Sequence, residues 1–163
     1  MSTYVGKKQV KEFLGLYLKP GMKICDMGAG GGTYYDLLGP GYEWTAVEIW
    51  TESVKHLQNL YNHVYQVDIR DFEYPEFYDL IIFGDVLEHL DVEDAQTALK
   101  KAEAHSAAIM VAIPYNYPQN AIDGNEAEIH LQADLTPEIF NERYPNFGVI
   151  FKTDKLAYYW KES

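Results

Sequence analysis

Apolar and polar positions follow two different spacings along this chain, and segments with the two spacings alternate. Residues 3–18 carry apolar side chains three and four positions apart, which is the spacing of one helical face. Short β-forming runs follow, bounded by Gly, Pro, Asn or Asp, and helical segments separate most of them. Strands that alternate with helices are typical of an α/β fold with a largely parallel sheet.

The pattern predicts five helices and seven strands. The helices cover residues 3–18, 33–38, 52–61, 92–104 and 137–144, with Thr51, Asp91 and Thr136 as capping residues. The strands cover residues 22–26, 43–48, 63–67, 78–83, 106–113, 147–152 and 155–160. The last two strands flank Thr153 and Asp154, which predicts an antiparallel hairpin at the end of the chain.

The first predicted helix is amphipathic. Its apolar stripe consists of Val10, Phe13, Leu14, Tyr17 and Leu18. We expect this stripe to pack on the sheet and the charged side chains to face solvent. The lysines expected outside the stripe are Lys7, Lys8 and Lys11.

A glycine-rich turn follows the first predicted strand. Asp26 ends the strand, and Gly28, Gly30 and Gly32 come next at every second position. Glycine has no Cβ, so this backbone can adopt positive φ and approach a ligand closely. The helix that begins after Gly32 would direct free N–H groups and its positive dipole end toward that ligand. The turn therefore predicts a nucleotide-like ligand.

An acid also ends the second predicted strand. Glu48 follows the glycine turn by about twenty residues, where one carboxylate can accept hydrogen bonds from both hydroxyls of a ribose. Ile49 and Trp50 come next and offer an apolar surface for adenine. We therefore assign the ribose contact to Glu48.

Three motifs in chain order resemble those of class I S-adenosylmethionine (SAM) dependent methyltransferases, of the type that acts on small molecules. The first is D-x-G-x-G-x-G at residues 26–32, and the second is the Asp68-Ile69 pair after the third strand. The third is D-V-L-E-H-L at residues 85–90, after the apolar run of the fourth strand. A dinucleotide-binding G-x-G-x-x-G would need glycine at the position of Thr33, so that alternative fits poorly.

The resemblance implies a three-layer Rossmann-like α/β sandwich with a seven-stranded, mostly parallel sheet and a C-terminal antiparallel hairpin. It also implies SAM as the cofactor, with adenine bound by Asp68 and the backbone of Ile69, and the amino group or methyl near Asp85. Tyr4 in the leading helix is either a cofactor contact or a surface residue. The implied cofactor-binding residues are Asp26, Gly28, Ala29, Gly30, Gly32, Glu48, Ile49, Asp68, Ile69 and Asp85.

Methyl transfer to a hydroxyl or a protonated amine also requires a general base with a pKa near the working pH. The candidates are Asp85, Glu88, His89 and His130. Glu88 and His89 are neighbours that point about 100° apart on a helical turn, so we expect at most one to face the acceptor. His130 lies on the long loop of residues 114–130, which we expect to form the acceptor wall. The alternatives are a structural hydrogen bond for His89 and an exposed loop position for His130.

The same residues raise the question of a metal site. Asp85, Glu88 and His89 with the later His130 resemble the acid-x-x-Glu-His pattern and downstream histidine that bind a divalent ion in some RNA 2′-hydroxyl and quinone methyltransferases. Carboxylates and imidazoles together can hold Mg²⁺ or Zn²⁺. Asp85 is a shorter ligand than the glutamate of that pattern, and the acidic composition argues against RNA. The sequence therefore leads us to assign no metal.

Composition excludes several classes of protein. The net charge is −12 and the isoelectric point is near 4.7, which disfavours nucleic acid, because affinity for it grows with the number of neutralised phosphates. The single cysteine, Cys25, falls in the first strand, so an internal disulfide is excluded and a reducing compartment is expected. The apolar run at residues 13–18 is too short for a signal sequence or a membrane span. We therefore expect a soluble cytoplasmic protein with a small-molecule acceptor, and its oligomeric state stays open.

The length of 163 residues fits one domain. Within it we expect an N-terminal helix in residues 1–20, a cofactor-binding half in residues 21–113 and an acceptor side in residues 114–163. The predicted function is methyl transfer from SAM to an oxygen or nitrogen atom of a small molecule. Two alternatives stay open: a nonenzymatic SAM-binding regulatory or scaffold module, and a nicotinamide-dependent oxidoreductase.

Overall fold

One mixed sheet of seven strands runs through the centre of the molecule. The computed structural model describes residues 5–163. The strands are β1 (Lys23–Met27), β2 (Glu43–Glu48), β3 (His63–Gln66), β4 (Leu80–Gly84), β5 (Ala108–Pro114), β6 (Gly148–Lys152) and β7 (Leu156–Glu162). The helices are α1 (Lys7–Tyr17), α2 (Thr33–Leu38), α3 (Thr51–Leu57), α4 (Val92–His105) and α5 (Pro137–Arg143). The strand order is β3-β2-β1-β4-β5-β7-β6.

The first five strands pair in parallel, whereas β7 lies antiparallel between β5 and β6. The predicted turn around Thr153 and Asp154 joins β6 to β7. The pairing of these two strands contains an irregularity between Val149 and Phe151. The structure therefore confirms the α/β class, the mostly parallel sheet and the antiparallel C-terminal strands.

Helices cover both faces of the sheet, which is thus the middle of three layers. In β4, Ile81 and Phe83 face a core shared with α4 and α5, whereas Leu80 and Ile82 face a core shared with α1, α2 and α3. All four side chains are completely buried. A parallel strand covered on both faces must be apolar at every position, which explains the unbroken apolar run in this part of the sequence.

The first helix departs from its predicted pattern at Lys7. This side chain is only 6% exposed, and its Nζ lies 4.2 Å from the centroid of the Tyr34 ring. The prediction that Lys7 lies outside the apolar stripe was therefore wrong. Positions 7, 10 and 14 share one helical face, so Lys7 is buried by its position on the helix in spite of its charge. Tyr4, the other prediction for this segment, lies outside the described residues.

The third helix begins and ends earlier than predicted. Its N-cap is Trp50 rather than Thr51, because the Thr51 hydroxyl accepts a hydrogen bond of 2.8 Å from the Gln66 side-chain amide and leaves the helix uncapped. Its last residue is Leu57, and residues 58–60 continue as a turn. The ends of all seven strands lie within two residues of their predicted positions.

Both other predicted caps are confirmed. A carboxylate oxygen of Asp91 accepts from the N–H of Asp94 at 2.8 Å, and the Thr136 hydroxyl accepts from the N–H of Ile139 at 3.2 Å. Cys25 is completely buried in β1. Among residues 5–163, no helix has both the length and the apolar character needed to cross a membrane.

Candidate functional site

A cleft of about 650 Å³ opens at the carboxyl ends of β1, β2 and β4, where neighbouring parallel strands bring their following residues together. Five segments line it: the glycine turn, the end of β2, the segments after β3 and β4, and the loop between β5 and α5. Every predicted cofactor-binding residue except Gly32 is among the lining residues. These are Asp26, Gly28, Ala29, Gly30, Glu48, Ile49, Asp68, Ile69 and Asp85.

The glycine turn is held against β2 by its backbone. The N–H groups of Gly28 and Ala29 donate to the carbonyl oxygen of Val47 at 2.8 and 3.2 Å. Gly28 has φ of 67°, and a Cβ there would lie 2.6 Å from a methyl carbon of Val86. Gly30 has φ of 52°, but a Cβ there would meet no protein atom nearer than 3.9 Å. Glycine at position 30 therefore permits the positive φ of the backbone and leaves the adjacent space of the cleft open to a ligand.

Gly32, unlike the other predicted glycines, does not line the cleft. It is the N-cap of α2 with φ of 82°, and a Cβ on it would lie 3.3 Å from Leu60 and 3.5 Å from Leu57. It thus faces the core beneath α3 rather than the cleft. The preceding glycine, Gly31, lines the cleft instead.

Glu48 joins the end of β2 to the glycine turn. It is 7% exposed, and its two carboxylate oxygens accept from the N–H groups of Gly30 at 2.7 Å and Trp50 at 2.8 Å. Each oxygen retains a second lone pair for a further donor. Ile49 lines the cleft beside it and is 44% exposed, whereas Trp50 does not line the cleft.

Asp26 is the most deeply buried acid of the cleft, with 1% exposure. Its carboxylate accepts a hydrogen bond of 2.7 Å from the Tyr61 hydroxyl. Burial raises the pKa of Asp26 to about 7, although the Tyr61 hydrogen bond and the charge of Lys7 oppose this rise. Asp26 therefore changes its charge within the physiological range.

Asp68 follows β3 and forms an ion pair that the sequence analysis missed. Its carboxylate accepts from the backbone N–H and from the guanidinium Nε of Arg70, both at 2.9 Å. The hydrogen bond from the Arg70 side chain lowers the pKa of Asp68, which is therefore ionised. Ile69 and Arg70 line the cleft with it. The sequence did contain a signal for this ion pair, because the basic residue Arg70 stands two positions after Asp68.

The three predicted base candidates in the segment after β4 lie in different environments. Asp85 lines the cleft with φ of 56°, a strained value for a residue with a side chain. His89 lines the cleft from a short 3₁₀ turn. Glu88 does not line the cleft and is 1% exposed, and neither of its carboxylate oxygens has a hydrogen-bond partner among residues 5–163. Burial raises the pKa of Glu88 well above its ordinary value.

His130 does not line the cleft but packs against His89. The two ring centroids are 4.6 Å apart in an edge-to-face arrangement. His130 Nδ1 lies 2.6 Å from the carbonyl oxygen of Tyr117, and His89 Nδ1 lies 3.3 Å from that of Ile129. Partial burial lowers the pKa of His130, so its ring is neutral at pH 7. His130 is partly buried rather than exposed, and it lies beside His89 rather than in the lining of the cleft.

A buried glutamine that the sequence analysis missed fixes the loop to the turn after β4. Gln132 is 3% exposed, and its side-chain amide donates to the carbonyl oxygens of Leu87 at 2.8 Å and Leu90 at 3.1 Å. Its oxygen accepts from the Tyr144 hydroxyl at 2.8 Å and from Arg143 at 3.0 Å. No local sequence pattern identifies Gln132, because the partners of its side chain lie 11 to 45 positions away in the chain.

Several solved structures with the same fold are methyltransferases. The chain is similar to an S-adenosylmethionine-dependent methyltransferase from Clostridium acetobutylicum ATCC 824, with a TM-score of 0.72 and 14% identity over 96% of this chain and 89% of that one. It is also similar to the plantazolicin methyltransferase BpumL in complex with SAH, with a TM-score of 0.73 and 13% identity over 98% and 83% of the two chains. For the N-methyltransferase NodS from Bradyrhizobium japonicum WM9 the TM-score is 0.62, with 14% identity over 98% and 99%.

Sequence comparisons give the family directly. A search of curated proteins found no match. Residues 5–132 match a family described as a methyltransferase domain, and this match covers most of the chain. The segment contains the glycine turn, all the predicted cofactor-binding residues and His130. The chain therefore belongs to the methyltransferase domain family, and its fold is that of the class I SAM-dependent methyltransferases.

Proposed function

We propose that this chain binds SAM in the cleft and transfers its methyl group to an oxygen or nitrogen atom of a small-molecule acceptor. One observation carries the proposal: acids at the ends of four neighbouring strands share a single cleft with the glycine turn. A ligand with two vicinal hydroxyls, an amino-substituted ring and an ammonium group can use each of these acids. The acids are Asp26, Glu48, Asp68 and Asp85.

Each segment would hold a different part of SAM. The free lone pairs of Glu48 suit the two ribose hydroxyls, and its bonds to Gly30 and Trp50 already fix its position. Asp68 and the backbone of Ile69 suit the adenine edge, and Arg70 keeps Asp68 charged. Asp85 suits the ammonium group of the methionine part, because it lines the cleft beyond β4.

SAM supplies a methyl group on a sulfonium, which is a good leaving group without protonation. The chain then has to orient the acceptor, exclude water and take up any proton that the acceptor loses. His89 and Asp85 are the two predicted bases that line the cleft. Glu88 and His130 do not line it, so neither is proposed as a base that touches the acceptor.

The charge of the cleft favours a neutral or positively charged acceptor. Among residues 5–163, Arg70 is the one lysine or arginine that lines the cleft, and it is already paired with Asp68. An anionic acceptor would therefore meet repulsion without a free partner. The acids that line the cleft are Asp26, Glu48, Asp68, Asp85, Asp91, Asp94, Glu126 and Glu128.

Calorimetric titration with SAM, with its demethylated product and with NAD tests cofactor binding, and turnover on a panel of hydroxyl and amine acceptors tests transfer. We expect binding of SAM and its product, and methylation of at least one neutral or cationic acceptor. Binding without any product would favour a nonenzymatic SAM-binding module. Binding of NAD without binding of SAM would contradict the proposal and favour an oxidoreductase.

A pair of glycine variants makes the binding test specific to the cleft. Gly30→Val would place a side chain in the cleft at positive φ, so SAM binding should be abolished. Gly41→Val is the matched control, because no atom lies within 4 Å of a Cβ there and its φ is outside the left-handed region. Equal SAM affinity in the two variants would show that the glycine turn does not contact the cofactor.

A further inference from the structure

Three potential metal ligands meet beside the cleft. One ligand atom each from Glu88, His89 and His130 lies within 4.8 Å of the other two. Ligand atoms around one tetrahedral zinc ion are about 3.3 Å apart, so small side-chain rotations would bring all three to a common ion. Asp85, which the sequence pattern suggested as a first ligand, is not part of this cluster.

Glu88 gives the cluster a feature that an ordinary buried acid lacks. The carboxyl is 1% exposed, and both of its oxygens are without a hydrogen-bond partner among residues 5–163. Buried carboxyl groups normally find donors, because desolvation without a partner is costly. A cation bound between Glu88 and the two histidines would supply the missing partner.

The two histidines already have the arrangement that metal ligands show. In each ring Nδ1 is the nitrogen next to a backbone carbonyl oxygen, that of Ile129 for His89 and that of Tyr117 for His130. An Nδ1–H that donates to a carbonyl leaves the lone pair on Nε2. Neither Nε2 makes a hydrogen bond within the part of the chain that the structure describes.

Gln132 holds the cluster together. Its backbone N–H donates to the carbonyl oxygen of Glu88 at 3.0 Å, and its side chain bonds both Leu87 and Leu90. These four hydrogen-bonded residues connect the turn that carries Glu88 and His89 to the loop that carries His130. The backbone segments that carry the three ligands are therefore held together before any ion binds.

We propose that Glu88, His89 and His130 form a binding site for one divalent transition-metal ion of the zinc type at the edge of the cleft. Two imidazoles and one carboxylate suit Zn²⁺ or Co²⁺, whereas Mg²⁺ prefers oxygen ligands. Three protein ligands leave a zinc ion one open position. His89 lines the cleft, so the ion would lie at the edge of the cleft.

The test is metal binding to the full chain in the absence of SAM and acceptor, so its outcome is independent of the proposed methyl transfer. Calorimetric titration with Zn²⁺ alone should give one ion per chain. Titration with Co²⁺ should give the visible absorption bands of a four-coordinate ion. Mg²⁺ at the same concentrations should give no saturable binding.

Ligand variants then locate the ion. His89→Asn and His130→Asn should each lower the Zn²⁺ affinity by about 100-fold or more, because each removes one ligand. His56→Asn, at an exposed position on α3, is the matched control and should bind Zn²⁺ like the unaltered chain. Circular dichroism before each titration would show that the variants are folded.

Three results would overturn the proposal. The first is the absence of stoichiometric Zn²⁺ binding to the unaltered, folded chain. The second is unchanged Zn²⁺ affinity in His130→Asn, which is only partly buried and should fold normally. Loss of Zn²⁺ binding in His63→Asn instead would place the ion at the surface pair of His63 and Glu43, whose atoms lie 3.7 Å apart, and would also overturn it.

Discussion

At the scale of single residues, two neighbouring acids of the cleft differ in what surrounds them. Glu48 accepts two backbone N–H groups, whereas Asp26 accepts one hydroxyl and is more deeply buried. Backbone donors stabilise a carboxylate, and burial destabilises its charge. The two acids should therefore respond differently to substitution and to pH.

Removal of Glu48 should weaken SAM binding. Glu48→Ala removes the proposed ribose acceptor and also frees the N–H of Gly30, so we expect a loss of about 1 to 3 kcal/mol in calorimetric titration. Glu48→Gln retains one acceptor oxygen and should lose less. Glu43→Ala, at the opposite end of β2, is the control. Unchanged affinity in Glu48→Ala would refute the ribose assignment.

Asp26 should make stability depend on pH in an unusual direction. Its pKa is about 7 in the folded chain and about 3.8 in the unfolded chain, so the folded chain holds the extra proton between these values. The contribution of Asp26 to stability is therefore greatest at low pH and falls as pH rises through 7. The free energy of unfolding of the unaltered chain, minus that of Asp26→Asn, should fall from about pH 4 to about pH 7 and level off above that. Urea denaturation at each pH measures it, and a constant difference would contradict the raised pKa.

At the scale of secondary-structure elements, α1 carries a buried cation against the sheet. The ammonium of Lys7 has no hydrogen-bond partner among the described residues, and desolvation lowers its pKa. The charges of Asp85 and Asp26 act in the opposite direction. The net effect on stability therefore depends on whether desolvation outweighs these two distant carboxylates.

We expect desolvation to dominate. Lys7→Met keeps most of the side-chain volume and removes the buried charge, so the ligand-free chain should become more stable by about 1 to 3 kcal/mol in chemical denaturation. Lys8→Met, at a side chain that is 83% exposed, should change little. A less stable Lys7→Met variant would mean that attraction to Asp85 and Asp26 stabilises α1.

The loop before α5 depends on one glutamine. Gln132→Leu would remove the side-chain donor to the carbonyl oxygen of Leu90 and leave that of Leu87 with only the backbone N–H of Leu90, at 3.2 Å, which we expect to cost about 1 to 3 kcal/mol. Hydrogen exchange of residues 115–135 should become faster in this variant. Gln58→Leu, at an exposed position, is the control. Equal exchange in both variants would show that the loop is held by other contacts.

At the scale of the whole molecule, the elements were predictable and the deepest contacts were not. Helices and strands follow from local spacing and from turn residues, so the sheet and the glycine turn could be predicted. Gln132, by contrast, binds carbonyl groups 42 and 45 positions earlier, and no local pattern encodes that contact. Glu88 was predicted to be a candidate base, but its burial depends on the loop that folds over it.

The net charge of −12 should also affect the stability of the whole chain. Repulsion among surface acids opposes compaction, and added salt screens it. The melting temperature should therefore rise as NaCl increases from low concentration and level off near about 0.15 M, where the screening length is about 8 Å. A rise that continues linearly at higher salt would indicate preferential exclusion of the salt rather than screening.

The two C-terminal strands of the sheet, β6 and β7, follow its other strands in the chain and pack against α1, which has a consequence for folding on the ribosome. The Tyr158 hydroxyl in β7 donates to the carbonyl oxygen of Val5, 153 positions earlier, and Gly6 packs against Phe151 and Tyr158. A nascent chain in which β6 and β7 have not yet been synthesised therefore lacks part of the surface on which α1 docks. Docking of α1 is complete only after both strands have left the ribosome, and until then part of its apolar stripe is available to chaperones.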